Sequence, residues 1–176
     1  RNSKHAVVAV TRGLVEHLNH DEFEGVLAHE LGHIKNRDML TATMAATIAG
    51  AIAYIANIAW WGLLGGNRRS GGTAILLPLL ILAPIAATLV QLAISRTREF
   101  SADKTGALIS KKPLALASAL EKISNVAKQH PLSGNSATAH LFIENPFKGE
   151  GLVKLFLTHP PVGERIKRLK EISKEL

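Results

Sequence analysis

The residues best suited to carry chemistry form one pentapeptide, His29-Glu30-Leu31-Gly32-His33. On a helix, positions i and i+4 lie on one face, so His29 and His33 can present imidazole nitrogens to the same Zn²⁺. Glu30 lies about 100° further round the helix, where its carboxylate can reach a water bound to that metal. Zinc lowers the pKa of this water towards about 7, and Glu30 can then act as general base. The H-E-x-x-H pattern therefore predicts attack of an activated water on a peptide carbonyl.

The pentapeptide needs a helix around it, and its neighbours predict one. Asn19 followed by Glu22 is typical of an N-cap and its capping-box partner. The apolar residues beyond this cap fall on one side of the helix: Phe23, Val26, Leu27, Leu31 and Ile34. Further helices are predicted at 97–109, 113–129 and 164–176, with a loop at 130–151. The β-branched run at 6–11, centred on 7–10, is the best strand candidate.

The middle of the sequence is almost free of charge. Between Asp38 and Arg68 lie 29 uncharged residues, and between Arg69 and Arg96 lie 26. Each run exceeds the roughly 20 residues that cross a bilayer. A transmembrane helical hairpin is the simplest interpretation, and two buried helices of a soluble core are the alternative. The predicted hairpin has helices at about 41–64 and 73–95 and a loop at 65–72.

The basic residues that flank the apolar runs predict an orientation. The outer ends carry Lys35, Arg37, Arg96, Arg98 and Lys104, and the loop between the runs carries Arg68 and Arg69. Cytoplasmic flanks of membrane helices are enriched in Lys and Arg, so we expect both outer flanks to be cytoplasmic.

Length and composition restrict the class of protein. The 176 residues suit one domain interrupted by the hairpin, with 1–38 and 96–176 as its two parts and 39–95 as the insertion. With 47% apolar residues and no cysteine, the chain is neither intrinsically disordered nor a disulfide scaffold. The formal charge is +7, from 21 basic and 14 acidic residues. Because the sequence opens at Arg1 without an initiator Met, we expect it to be part of a longer chain.

A catalytic zinc ion needs a third protein ligand besides His29 and His33. The carboxylates are candidates for this ligand, and so are the other histidines. Those histidines are His5, His17, His20, His130, His140 and His159. Topology favours Glu99, because a membrane hairpin must bring the chain back to the surface from which it left. Asp103 lies one helical turn beyond Glu99 and could accept the second ring N–H of a ligating histidine. Without the H-E-x-x-H motif, Glu99 and Asp103 would be interpreted as ordinary solvated residues of a helix face. The motif favours a role for both at the metal.

Three motifs in order give the sequence a family resemblance. They are the H-E-x-x-H helix with its apolar hairpin, then Arg-Glu-Phe-Ser-Ala-Asp at 98–103, then Thr-His-Pro-Pro at 158–161 with Arg165. In this combination the sequence resembles the HtpX family of membrane-bound zinc metalloproteases, which belongs with the CAAX-prenyl proteases in metallopeptidase family 48. The resemblance covers essentially the whole chain.

The resemblance implies a fold, a location and a substrate class. The fold would be a mainly α, gluzincin-like metalloprotease domain with a short edge strand, interrupted by a transmembrane hairpin. The protein would be an integral inner-membrane endopeptidase with its active site facing the cytoplasm, preceded by further hydrophobic helices. It would carry one Zn²⁺ per chain, although two imidazoles and a carboxylate also suit other first-row metals. Its substrates would be misfolded or damaged membrane proteins that arise under stress.

The resemblance also assigns roles to individual residues. The implied zinc ligands are His29, His33 and Glu99. Glu30 matches the catalytic base, and Asp103 matches the residue that orients a ligand. His159 is implied to hydrogen-bond the tetrahedral oxyanion, and Arg165 to pair with an active-site carboxylate. A strand at 7–10 at the edge of the cleft would bind substrate backbone by strand addition.

Other classes of function fit parts of the sequence. A non-catalytic metal-binding membrane adaptor would leave Glu30 without a role. A CAAX-prenyl-type protease encloses its site in a multi-helix chamber that two spanning helices cannot build. A nucleic-acid-binding protein rests on the +7 charge alone, and the chain has few aromatic residues and no recognisable nucleic-acid motif. The expected partners are therefore polypeptide substrates, the lipid bilayer and other membrane proteases or chaperones, and not nucleic acid.

Overall fold

The computed structural model describes residues 5–65, 73–129 and 160–176. These residues form six helices: α1 Arg12–His17, α2 His20–Lys35, α3 Asp38–Gly65, α4 Thr73–Ser110, α5 Pro113–Gln129 and α6 Val162–Ile172. The mainly α architecture predicted from the sequence is confirmed. The chain divides into two compact units, one formed by Arg1–Met39 with Ser95–Leu176 and the other by Leu40–Ile94.

Helix α2 begins at the cap that the sequence predicts. Asn19 Oδ1 accepts a hydrogen bond from the backbone N–H of Glu22 at 2.9 Å, and Glu22 Oε2 accepts one from the backbone N–H of Asn19 at 2.9 Å. The capping box is therefore formed and satisfies two backbone donors at the helix start. Glu22 also accepts hydrogen bonds from Ser118 at 2.7 Å and from Lys122 at 2.8 Å. The same carboxylate thus ties the start of α2 to α5.

The core of the first unit is built around α5, which packs against both α2 and α6. Its buried apolar side chains are Leu18, Val26, Ala107, Leu116, Ala117, Ala119, Leu120 and Leu169. Half of them belong to α5, whose bounds match the amphipathic helix predicted at 113–129. Leu116, Leu120 and Leu169 are at most 1% exposed, and burying such a side chain contributes about 1.5–3 kcal/mol.

Helices α3 and α4 are long and apolar enough to cross a membrane, over Asp38–Gly62 and Leu80–Ser110. Only 6% of the most apolar stretch of each helix is buried, so neither helix resembles the core helix of a soluble protein. In the described part of the second unit, the buried side chains are those of Ala56 and Ala87. The large apolar side chains are exposed instead, among them Ile48, Tyr54, Ile55, Trp61, Ile81 and Val90. This distribution suggests a membrane protein.

Some predicted elements differ from those in the structure. Residues 6–11 form no strand, and His5 lies in an isolated β-bridge. A strand needs a neighbouring strand to pair its N–H and C=O groups, and the described residues contain no second strand. The helix predicted at 97–109 is the last part of α4, which continues through Pro78 and Pro84. The predicted loop at 130–151 lies outside the described residues.

Two helix boundaries also differ. The last helix, predicted at 164–176, is α6, which follows Pro161 directly and ends at Ile172. Helix α1 was not predicted from the sequence, because six residues are too few to show a helical period. Its signal is local, since Thr11 Oγ1 accepts a hydrogen bond from the Leu14 N–H at 3.4 Å and caps the helix.

Candidate metal centre

The two histidines of the pentapeptide face the same point. His29 and His33 lie one turn apart on α2, and their Nε2 atoms are 3.1 Å from each other. Glu99 on α4 reaches both rings, with Oε2 at 3.7 Å from His29 Nε2 and Oε1 at 3.6 Å from His33 Nε2. One donor atom of each residue lies within 4.8 Å of the other two. The structure therefore brings together the three residues that the sequence analysis selected as metal ligands.

The spacing of these donor atoms fits a tetrahedral metal ion. Zinc bonds of about 2.0–2.1 Å at tetrahedral angles place two ligand atoms about 3.3 Å apart. The observed separations of 3.1, 3.6 and 3.7 Å bracket that value. Two imidazoles and one carboxylate form a donor set found in catalytic zinc sites, and other first-row metals accept it as well. His29, His33 and Glu99 would hold such an ion.

Each histidine has a carboxylate at its second ring nitrogen. Asp38 Oδ2 lies 2.5 Å from His33 Nδ1, and Asp103 Oδ1 lies 3.0 Å from His29 Nδ1. The second contact has an ion-pair distance but lacks the geometry of a hydrogen bond. With its proton on Nδ1, His33 carries a lone pair on Nε2, which is directed towards His29 Nε2. Nε2 of His29 also lies 3.4 Å from Arg165 Nη2.

Arg165 of α6 is fully buried beside these carboxylates. Its Nε donates to Asp103 Oδ2 at 2.8 Å and its Nη2 donates to Asp103 Oδ1 at 2.7 Å. Its Nη1 lies 3.4 Å from Glu99 Oε2. The family resemblance implies that Arg165 pairs with an active-site carboxylate, and the structure places it in a two-point contact with Asp103. The buried guanidinium thus contacts the carboxylate of Asp103 rather than solvent.

Negative charge is in excess around the donor atoms. The carboxylates of Asp38, Glu99 and Asp103 are all buried, whereas Arg165 is the one buried cation in the described part of the chain. Arg98 is more exposed, and its Nε lies 3.8 Å from Asp38 Oδ2. Buried charges are normally paired or bound to metals, because removal from water is costly. The excess therefore favours a divalent cation.

Two glycines allow α2 and α4 to approach closely enough for Glu99 to reach the histidines. A Cβ at Gly32 would lie 2.8 Å from the Ala102 carbonyl oxygen. A Cβ at Gly106 would lie 2.8 Å from both Cα and N of His29. Cβ atoms do not come this close to backbone, so these two positions require the absence of a side chain.

Asn36 connects the end of α2 to α4. Its Nδ2 donates to Ser101 Oγ at 3.1 Å, and its Oδ1 accepts from Thr105 Oγ1 at 3.2 Å. Neither this residue nor Asp38 was predicted from the sequence as part of the site; they lie three and five residues beyond His33. The available signal was an amide and a carboxylate placed directly after the helix that carries the histidines.

The remaining candidates occupy different places. Glu30 is half-buried on α2 beside His29, and His159 lies outside the described residues, as do His130 and His140. Of the others, His5, His17 and His20 are exposed and belong to no cluster with His29. His20 lies near Asp21 and Glu24. Those two acids already bind the ammonium of Lys112, at 2.8 and 2.6 Å.

Comparisons with known proteins identify the family of the chain. The family described as Peptidase family M48 matches residues 2–173. A Protease HtpX homolog of Pyrococcus furiosus is 58% identical over 100% of this chain and 63% of its own length. A Protease HtpX homolog of Aquifex aeolicus is 54% identical over 100% of this chain and 61% of its own length. One of Salinibacter ruber is 52% identical over 98% of this chain and 62% of its own length.

The chain spans less than two thirds of the length of these curated relatives. No solved structure matches it. The family match covers nearly all of the chain, and two histidines and a glutamate that could hold a metal ion come together in one place. The chain therefore belongs to peptidase family M48, a family of metallopeptidases, and is similar to HtpX proteases along its whole length.

Proposed function

We propose that this chain is the catalytic part of a zinc-dependent endopeptidase that is integrated in a membrane. The observation that carries the proposal is the convergence of donor atoms from His29, His33 and Glu99 within 4.8 Å of one another. Membership of a metallopeptidase family and the protease names of the relatives support peptide hydrolysis. The two long, exposed apolar helices support membrane integration.

The side chains divide the work of catalysis. The two histidines and Glu99 would hold the zinc ion, which when bound would lower the pKa of a water to about 7. Glu30 would act as the general base towards the attacking water and then as the acid that protonates the leaving amine of the cleaved peptide bond. Arg165 offsets the charge of Asp103 and keeps that carboxylate behind His29. We also assign His159 to the carbonyl oxygen of the scissile bond, on the strength of the family resemblance.

The substrates that we propose are unfolded or damaged membrane proteins. Residues 6–11 have no regular structure, and Val7, Val8 and Val10 are exposed. An extended substrate would pair its backbone with this segment by strand addition, which recognises main chain rather than a particular sequence. The other partners that we propose are the lipid bilayer and other membrane proteases or chaperones, with no role for nucleic acid.

The proposal is tested by measuring metal content and casein cleavage together. The purified chain in detergent is compared with Glu30→Gln and Glu99→Ala. The matched control is Glu24→Gln, which changes a partly buried glutamate of the same helix that binds Lys112 and not the metal centre. We expect one zinc per chain in the parent, Glu30→Gln and Glu24→Gln, and loss of zinc in Glu99→Ala. Cleavage should survive only in the parent and Glu24→Gln. Full cleavage by Glu30→Gln, or a parent chain that binds no zinc after reconstitution, would overturn the mechanism.

A further inference from the structure

We propose that Asp38 is a positioning residue of the metal centre: it holds His33 in the tautomer and orientation that aim Nε2 at the shared donor point. This inference rests on the proposed function, because it takes His29, His33 and Glu99 to bind zinc. It adds a residue outside the three motifs that carry the family resemblance.

The contact between the two side chains is short and sheltered. Asp38 Oδ2 lies 2.5 Å from His33 Nδ1. The Asp38 residue is 4% exposed, and the His33 side chain is 21% exposed. A carboxylate can only accept a hydrogen bond, so the proton of a neutral His33 ring must lie on Nδ1. The lone pair then lies on Nε2, which faces Glu99 and His29.

The backbone makes a sharp turn to bring Asp38 back to His33. Helix α2 ends at Lys35, and Arg37 has a φ of 57°, in the left-handed region. This conformation is uncommon for a residue other than glycine and is maintained only where surrounding contacts hold it. The Arg37 N–H donates to the Ile34 carbonyl at 3.2 Å, and Asp38 starts α3 immediately afterwards. The turn therefore places the first carboxylate of α3 beside the last ligand of α2.

The neighbouring bonds hold this turn against α4. Asn36 lies between the two helices and binds Ser101 and Thr105 on α4 through its side-chain amide. Since α4 also carries Glu99, the same contacts relate the turn to the third metal ligand. Movement of the turn would thus have to break the bonds of Asn36 to α4 as well as the contact of Asp38 with His33.

Asp38 and Asp103 play similar roles with different charge environments. The charge of Asp103 is offset by the two hydrogen bonds from Arg165. The cation near Asp38 is Arg98, whose Nε lies 3.8 Å away, beyond hydrogen-bonding distance. The negative charge of Asp38 is therefore offset less than that of Asp103. It polarises the His33 ring, which makes Nε2 a better metal donor.

The first test measures the ring tautomer of His33 in the metal-free chain, by nitrogen-15 NMR in detergent at a pH where imidazole is neutral. In the parent we expect the proton on Nδ1 of His33. In Asp38→Ala we expect a large fraction of rings with the proton on Nε2. A parent chain with the proton on Nε2 would overturn the proposal, whether or not the protein cleaves peptides.

The second test measures zinc affinity by competition with a chromophoric chelator. We expect a loss of about 10- to 100-fold in Asp38→Ala, and a smaller loss in Asp38→Glu, which restores a carboxylate. Asp21→Asn, an exposed acid of α2, should match the parent. Circular dichroism of each variant checks its fold, and Asp38→Asn replaces Asp38→Ala if the alanine variant does not fold.

The outcomes separate this inference from the proposed function. An Asp38→Ala chain that folds and binds zinc within twofold of a zinc-binding parent would overturn the role of Asp38 alone. A parent that binds zinc, loses affinity on Asp38→Ala but cleaves nothing would support the role of Asp38 and overturn the endopeptidase. A parent that binds no zinc would overturn both.

Discussion

Gly106 of α4 lies directly against the backbone of His29 on α2, where an added Cβ would come within 2.8 Å of Cα and N. Glu99 lies seven residues earlier on α4, about two helical turns away. The contact therefore sets how near the helix of the third ligand can come to the helix of the histidines. The separations of 3.6 and 3.7 Å between Glu99 and the two rings depend on it.

Gly106→Ala should push α4 away from α2 and separate Glu99 from the histidines. We expect the free energy of unfolding to fall by about 1–3 kcal/mol, as for other overpacked interiors, and zinc affinity to fall with it. Thermal unfolding in detergent and chelator competition measure the two effects. Gly163→Ala is the control, because a Cβ at Gly163 meets nothing within 4 Å. Equal zinc affinity in Gly106→Ala and the parent would contradict the role given to this helix contact.

Arg165→Ala should destabilise the chain strongly. Removing the guanidinium leaves Asp103 buried without its two hydrogen bonds, and breaking a buried ion pair costs about 3–5 kcal/mol. Arg165→Lys should lose less, since it keeps the charge but cannot form two parallel bonds. The measurement is the free energy of unfolding of the metal-free chain.

Two further variants test the cause of that loss. Arg168 pairs with Glu164 near the surface, at 3.0 Å, and lies over the Phe100 ring. Arg168→Ala should therefore cost only about 1 kcal/mol. Adding Asp103→Asn to Arg165→Ala should recover part of the stability, because the unpaired charge is gone. If the double variant is no more stable than Arg165→Ala, the pair is not the cause.

The network at the start of α2 should make stability depend on acid pH. Burial alone would raise the pKa of Glu22, but hydrogen bonds from Lys122, Ser118 and the Asn19 backbone outweigh it, and the pKa lies below its ordinary value of 4.5. The stabilisation is therefore complete above pH 4.5 and is lost as the pH falls through the lower, folded-state pKa.

Comparison of the parent with Glu22→Gln measures this contribution. The parent should have the higher melting temperature at about pH 7, and the difference should shrink towards about pH 3. Glu164→Gln, at an exposed pair on α6, should show little difference at either pH. A difference between parent and Glu22→Gln that stays constant with pH would show that the carboxylate charge is not responsible.

The orientation in the membrane can be tested with single cysteines. The chain has no cysteine, so one introduced residue carries the only thiol. With the outer flanks in the cytoplasm, Lys35→Cys should be protected from an impermeant maleimide in intact cells, and Asn67→Cys should be labelled. Opening the cells should expose Lys35→Cys. The reverse labelling pattern would contradict the orientation predicted from the sequence.

Local features of the fold were predictable because they depend on residues close in sequence. The capping box of Asn19 and Glu22 is present, and His29 and His33 face each other one turn apart. Helix α5 has the bounds that its amphipathic period predicts. Features that need a partner distant in sequence were predicted less accurately. Residues 6–11 have the composition of a strand, but a strand forms only where another strand pairs with it.

By itself, the sequence determined which residue types could bind a metal and which helix would carry two of them, because helix geometry follows from spacing. Tertiary structure decided whether the acids selected from the sequence reach the histidines, and it added Asp38. Glu99 lies 66 residues beyond His33, and Arg165 lies 62 residues beyond Asp103. Their meeting depends on the close approach of α2 and α4 at Gly32 and Gly106 and on the packing of α6. A carboxylate that orients a histidine and one exposed to water look alike in sequence, and only burial and a partner at hydrogen-bond distance distinguish them.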